Sequence, residues 1–112
     1  MARARPLYGR GYRFDSCRGL VITIAFDVDG CLIDENDEPR ADVVAALVQL
    51  SWLPGIYIIV WSGCGRDYAR MIGQRIGVDE HVRQYASKLD GMRPDITFDD
   101  QPVNLGAVNI QV

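Results

Sequence analysis

Val21-Ile22-Thr23-Ile24-Ala25-Phe26-Asp27-Val28-Asp29-Gly30 is the stretch whose reading decides the fold. Val21 to Phe26 is an unbroken run of apolar or β-branched residues, the pattern of a strand buried on both faces inside a parallel sheet. The run ends at Asp27 and Asp29, spaced i, i+2, and Gly30 then permits a sharp turn. Ligands of an open α/β sheet bind beyond the carboxyl ends of its strands, which is where these two acids fall. Alternate strand residues share a face, so extended backbone through Asp29 would turn both carboxylates toward one pocket. Two acids at the tip of a buried strand imply a cation or proton transfer.

Downstream, Cys31 to Pro39 holds Asp34, Glu35, Asn36, Asp37 and Glu38 and reads as a polar loop. Pro39 suits the first turn of a helix, with the preceding acids at its positive end. Val43, Val44, Leu47, Val48 and Leu50 give that helix one apolar face, and Pro54-Gly55 ends it. Ile56 to Trp61 is a second buried strand, delivering Ser62 at its tip before Gly63-Cys64-Gly65. Arg66 to Ile76 returns to helical spacing through Tyr68, Ala69, Ile72 and Ile76, with Gly77 as its C-terminal cap. Val78 to Ala86 has room for the start of a strand and one or two helical turns opened by Asp79. Ile96-Thr97-Phe98 is a third short strand ending in Asp99 and Asp100, and Ala107 to Val112 is a last strand at the sheet edge. Strands alternating with helices predict an α/β, Rossmann-like three-layer sandwich: a mostly parallel central sheet, covered on both faces through right-handed crossovers.

The chain of 112 residues is 48% hydrophobic and 24% charged, which bounds it to one soluble globular domain. No apolar run approaches the roughly 20 residues of a membrane helix. Met1 to Arg18 lacks the apolar centre of a secretory signal. Cys17, Cys31 and Cys64 are odd in number and form no C-x-x-C, so neither a disulfide framework nor a structural zinc site is expected. Free thiols in the cytoplasm are the simplest reading. The net charge of −3 is uneven: Arg3, Arg5, Arg10, Arg13 and Arg18 against Asp15 give residues 1–19 a charge of +4, leaving −7 for residues 20–112. Residues 1–19 show no structural period and read as a basic arm, against which a solvated terminus and a nucleic-acid contact are both weighed. Tyr8, Tyr12 and Phe14 are candidates to tuck that arm against the domain, which spans residues 20–112. His81, Trp52 and Trp61 read as surface or packing residues.

Three strand tips thus carry polar groups: Asp27 and Asp29, then Ser62, then Asp99 and Asp100. Between the last two lies Lys88, the only lysine in a chain with 11 arginines. Singly, each has a plainer reading: an Asp-x-Asp as a turn device, Ser62 as a turn residue, Lys88 as a surface charge. Together, four carboxylates, one ammonium and one hydroxyl at the open end of a parallel sheet suit phosphoryl transfer with a divalent cation. Magnesium is the ion expected, being hard and oxygen-seeking.

These residues also carry a resemblance. Phe26-Asp27-Val28-Asp29-Gly30-Cys31-Leu32 resembles the first motif of the haloacid dehalogenase (HAD) superfamily, Asp-x-Asp-Gly after a buried strand. Val60-Trp61-Ser62-Gly63 is similar to its second motif, Lys88 stands where the third-motif lysine is expected, and Phe98-Asp99-Asp100 resembles the fourth-motif acid pair. The resemblance covers roughly residues 20–112, with the four motifs in order. Cys31 departs from it, since Thr or Val is usual there.

The resemblance implies a magnesium-dependent phosphomonoester hydrolase working through an aspartyl-phosphate, and it implies roles. Asp27 would be the nucleophile and a magnesium ligand. Asp29 would be general acid and then base, its backbone carbonyl facing the metal. Ser62 and the Gly63 amide would hold a phosphoryl oxygen, and Lys88 would neutralise charge on the phosphoryl group and Asp27. Asp100 would be the direct or water-mediated ligand, with Asp99 orienting it. An Asp at position 29, rather than the Thr of ion pumps, implies phosphatase or phosphotransferase chemistry. Cys31 to Gly55 and Gly63 to Ser87 leave no room for the cap domain that usually selects substrate, so a capless member is implied. Such a site suits a phosphoprotein or nucleic-acid end, or a pocket completed by another subunit of an oligomer. Two readings compete. One is a non-catalytic binding module on the same fold. The other is a receiver-type phospho-acceptor domain, whose acid pair would stand on the first strand instead.

Overall fold

The computed structural model describes residues 20–112. The arm of residues 1–19, with Tyr8, Tyr12, Phe14 and Cys17, lies outside them. The elements are β1 (Ile22–Asp27), α1 (Ala41–Ser51), β2 (Ile56–Ser62), α2 (Arg66–Arg75), β3 (Gln84–Ser87), β4 (Ile96–Asp99) and β5 (Val108–Gln111), with short 3-10 turns at Asp79–His81 and Lys88–Asp90. The strands form one sheet in the order β3-β2-β1-β4-β5, and every pairing is parallel. The central strand is the apolar run of the opening stretch. Ile24, Ala25 and Phe26 are buried on both faces, as a strand flanked by two neighbours and covered above and below requires.

The chain runs outward from β1 through β2 to β3, then returns across the sheet to β4 and β5. The strand order therefore reverses between β1 and β4, and the crevice at their carboxyl ends is the topological switch point where such sheets bind ligands. The two outward crossovers place α1 and α2 on the same face. Val43 and Leu47 of α1 and Ala69 and Ile72 of α2 share a core with Ile24, Phe26, Ile58, Val60 and Tyr85. Phe26 and Phe98, paired across β1 and β4, stack with ring centroids 4.7 Å apart.

The opposite face corrects the three-layer expectation. Ala25, Ile59, Trp61 and Ala86 form its core, packed by Tyr57, Met92 and Leu105. Met92 and Leu105 come from the connections 88–95 and 100–107, which hold no α-helix. Right-handed crossovers running back across the sheet must use this face, but these two are too short, and too broken by Gly91, Pro94, Pro102 and Gly106, to build a helix on it. Among the described residues the domain is a two-layer α/β sheet with loops over its second face.

Smaller differences are local. The first helix begins after Arg40 and excludes Pro39, because Pro39 bridges to Ile33 and the Arg40 amide donates to the Leu32 carbonyl at 2.8 Å. The acids ahead of it close a turn instead: Asp34 Oδ1 accepts from the amides of Asn36 (2.8 Å) and Glu38 (3.0 Å). The strand suspected within Val78–Ala86 is β3, starting at Gln84. The second helix ends as expected, with Gly77 (φ +82°) in the left-handed conformation and amide bonds Gly77→Gln74 and Val78→Gly73 closing a Schellman motif. Among the described residues no helix is long and apolar enough to cross a membrane.

Candidate metal and phosphate site at the strand tips

Sheet register assembles the site. Asp27 pairs with Trp61 and Trp61 with Ala86, so one step further Ser62 and Ser87 pair and Lys88 follows directly. On the other side Phe26 pairs with Phe98, which places Asp27 beside Asp99 at the ends of β1 and β4. Residues far apart in sequence therefore meet because their strands end at one level. Lys88 opens a 3-10 turn fixed by a reciprocal cap: Ser87 Oγ accepts from the Leu89 amide, and the Asp90 carboxylate accepts from the Ser87 amide.

From that position the Lys88 ammonium bridges two buried carboxylates, 2.8 Å from Asp27 Oδ1 and 2.7 Å from Asp99 Oδ2. Asp27 is 6% exposed and Asp99 2%. Burial pushes the Asp27 carboxyl up to about 6; the Lys88 hydrogen bond and charge oppose this, and the charges of Asp99 and Asp100 reinforce it. For Lys88 burial disfavours the ammonium, but bonds to Asp27 and Asp99 outweigh it and raise the pKa. Cys31, whose Sγ lies 3.5 Å from the Phe98 carbonyl, is driven up to about 12 by burial and then by the charge of Asp27, so it stays a thiol.

Asp100 completes the cluster. Asp27, Asp99 and Asp100 each offer a carboxylate oxygen, and these atoms lie within 4.8 Å of one another. Both Asp99 oxygens are already engaged, Oδ2 by Lys88 and Oδ1 by the Gln101 amide at 3.0 Å. The Asp100 carboxylate accepts from the Gln101 side chain at 3.2 Å on Oδ2, and its backbone carbonyl accepts from the Gln111 side chain at 3.2 Å. Gly30 packs directly on Asp100: its φ is +80°, and a Cβ there would run into the Asp100 carboxylate. The Gly30 carbonyl is in turn fixed by the Arg40 guanidinium at 2.8 Å. Three carboxylates, two of them held by one ammonium, gather at the strand tips, and the donors are all hard oxygens with neither His nor Cys among them. An all-oxygen donor set of this kind could hold a hard divalent cation such as magnesium.

The remaining expected residues stand around this cluster. Ser62 is 1% exposed, its Oγ accepting from the Cys64 amide at 2.9 Å, and Gly63 is exposed beside it. Asp29 is exposed and does not join the triad; its Oδ1 accepts from the Tyr68 hydroxyl of α2 at 2.8 Å. Burial, then the bond to Asp29, drives the Tyr68 phenol up to about 12, so it remains a donor. An open groove of about 360 Å³ adjoins the tips of β2 and β3, lined by Cys64, Gly65, Arg66, Asp67, Ser87 and Asp90. The sequence reading missed Tyr68, Arg40 and Gln101 as neighbours of the site. Tyr68 falls on the apolar stripe of its helix, and only its polar tip, among otherwise aliphatic stripe positions, signals a second task. No protein-family model, curated protein or solved structure matches this chain.

Proposed function

We propose that the chain is a capless, HAD-like phosphomonoester hydrolase that uses magnesium and an aspartyl-phosphate on Asp27. The observation that carries this reading is the Lys88 ammonium seated between Asp27 and Asp99 at the switch point, with Asp100 completing an oxygen cluster. An Asp held by lysine through one oxygen keeps its other oxygen for phosphorus or a cation. Magnesium, when bound by Asp27, Asp100 and the Asp29 carbonyl, would supply charge neutralisation for the phosphoryl oxygens. Asp99 positions Lys88 and so acts one step removed.

In the first step an Asp27 oxygen attacks phosphorus, the bond from phosphorus to the leaving oxygen breaks, and Asp29 gives that oxygen a proton. In the second, water attacks phosphorus, Asp29 takes back a proton, and the bond to Asp27 breaks to release phosphate. Ser62 and the Gly63 amide donate to the phosphoryl oxygens, while Lys88 offsets their charge. The lack of any inserted domain in the connections after β1 and β2 leaves the approach open, which suits a phosphoprotein or an oligonucleotide end, the latter aided by the basic arm.

Hydrolysis of 4-nitrophenyl phosphate tests the reading. Activity is expected to require magnesium, to vanish with a chelator, and to fall by about a thousandfold or more in Asp27→Asn. Turnover that survives both treatments overturns it.

A further inference from the structure

Asp29 reaches into solvent from the loop between β1 and α1, where an aspartate side chain ordinarily samples several rotamers. Among the described residues one neighbour holds it: the Tyr68 hydroxyl, 39 positions away in sequence, donates to Oδ1 at 2.8 Å. On the same side of α2, at i+7, the Arg75 guanidinium donates to the Asp37 carbonyl of the same loop at 2.8 Å. One stripe of α2 therefore grips the loop at two points, and only the first touches a candidate catalytic group. The helix that carries Tyr68 starts four residues after Ser62, so this grip also ties Asp29 to the strand tip proposed to hold phosphate.

We propose that Tyr68 is a positioning residue that fixes the Asp29 carboxyl and assigns proton transfer to its Oδ2. This rests on the phosphatase reading given above. With Oδ1 accepting from Tyr68, the proton that Asp29 gives the leaving oxygen, and later takes from water, is carried on Oδ2. Holding that oxygen in one direction removes an orientational search from the step that needs the proton. The need differs between substrates: a nitrophenolate leaves without protonation, whereas an alkoxide does not.

The test compares kcat/KM, which reports the steps through first phosphoryl transfer, for 4-nitrophenyl phosphate and for glycerol 2-phosphate. In Tyr68→Phe the value for glycerol 2-phosphate is expected to fall about tenfold, with less than a twofold change for the nitrophenyl ester. Arg75→Met, which releases the second grip alone, is expected to leave the ratio of the two values as in the unmodified protein. An equal fall on both substrates in Tyr68→Phe, no fall on either, or the same selective fall in Arg75→Met would overturn the assignment. Asp27→Asn run in parallel separates the two ideas: if it retains activity the phosphatase reading fails, whatever Tyr68→Phe does.

Discussion

A buried carboxylate with an elevated pKa costs the protein stability once it ionises, and Asp27 is such a group. Its folded value of about 6 lies above the ordinary 3.8. As pH rises between those values, the unfolded chain releases the proton first, so stability from this group is present below about pH 4 and lost through pH 6. Asn at this position removes that cost while Asp99 keeps Lys88 paired. Without magnesium, Asp27→Asn is expected to be more stable than the unmodified protein at pH 8, by on the order of 1–2 kcal/mol after allowing for solvent screening. The gap should narrow as pH falls through 6 and close below about pH 4. Urea unfolding at the two pH values, each with chelator, measures it. Lys88 predicts the reverse sign. Lys88→Met leaves two buried carboxylates facing each other, which is expected to cost about 3 kcal/mol at pH 8. Magnesium should recover part of that loss in a thermal melt, and an unshifted melting temperature in this variant would contradict the ion pairing described.

At the scale of elements, the end of α2 offers the cleanest test of how its residues build it. Gly77 alone supplies the left-handed turn that closes the Schellman motif, so Gly77→Ala is expected to cost about 1 kcal/mol in urea unfolding. The strand tips should keep their activity, because Gly77 lies at the opposite end of the helix from Ser62. This cap was legible in the sequence because a glycine followed the last apolar position of a helical period. The strand β1 was legible for a similar reason: an apolar run bounded by two acids and a glycine has one economical reading. What could not be read depended on contacts beyond the local pattern. Pro39 suits a helix start, yet its bridge to Ile33 withdraws it into the preceding turn. Only three of the residues in β3 pair before Ser87, and Gln84-Tyr85-Ala86 carries no strong strand period, so sheet pairing alone defines that strand. Tyr68 was legible only as a position at helical spacing, because sequence spacing reports a helix face and not where a hydroxyl ends.

For the molecule as a whole, the strand order makes the site possible. The chain folds out along one edge, returns across the sheet, and leaves β1 between β2 and β4, so the ends of three neighbouring strands meet. The sequence fragments Asp27, Ser62, Lys88 and Asp99-Asp100 were recognisable as candidates, but their convergence follows only from parallel pairing in this order. Expecting helices on both faces overreached, since the returning connections are too short to carry them. That shortness leaves the sheet's second face under loops, while the capless reading proposed above rests on the connections after β1 and β2. An open site of this kind predicts little discrimination by size: 4-nitrophenyl phosphate and a phosphorylated oligonucleotide should be processed with kcat values within about tenfold of each other. A steady-state comparison of the two checks this, and a kcat ratio far outside that range would point to a cover the described residues do not include.

The central claim is that Asp27 itself attacks phosphorus. Borohydride reduces an acyl phosphate to an alcohol, so trapping during turnover of 4-nitrophenyl phosphate with magnesium should convert Asp27 to homoserine. Peptide mapping by mass spectrometry is predicted to find that change at Asp27, only when substrate and magnesium are both present. Active turnover that leaves Asp27 unreduced, or that marks another carboxylate, would contradict the account.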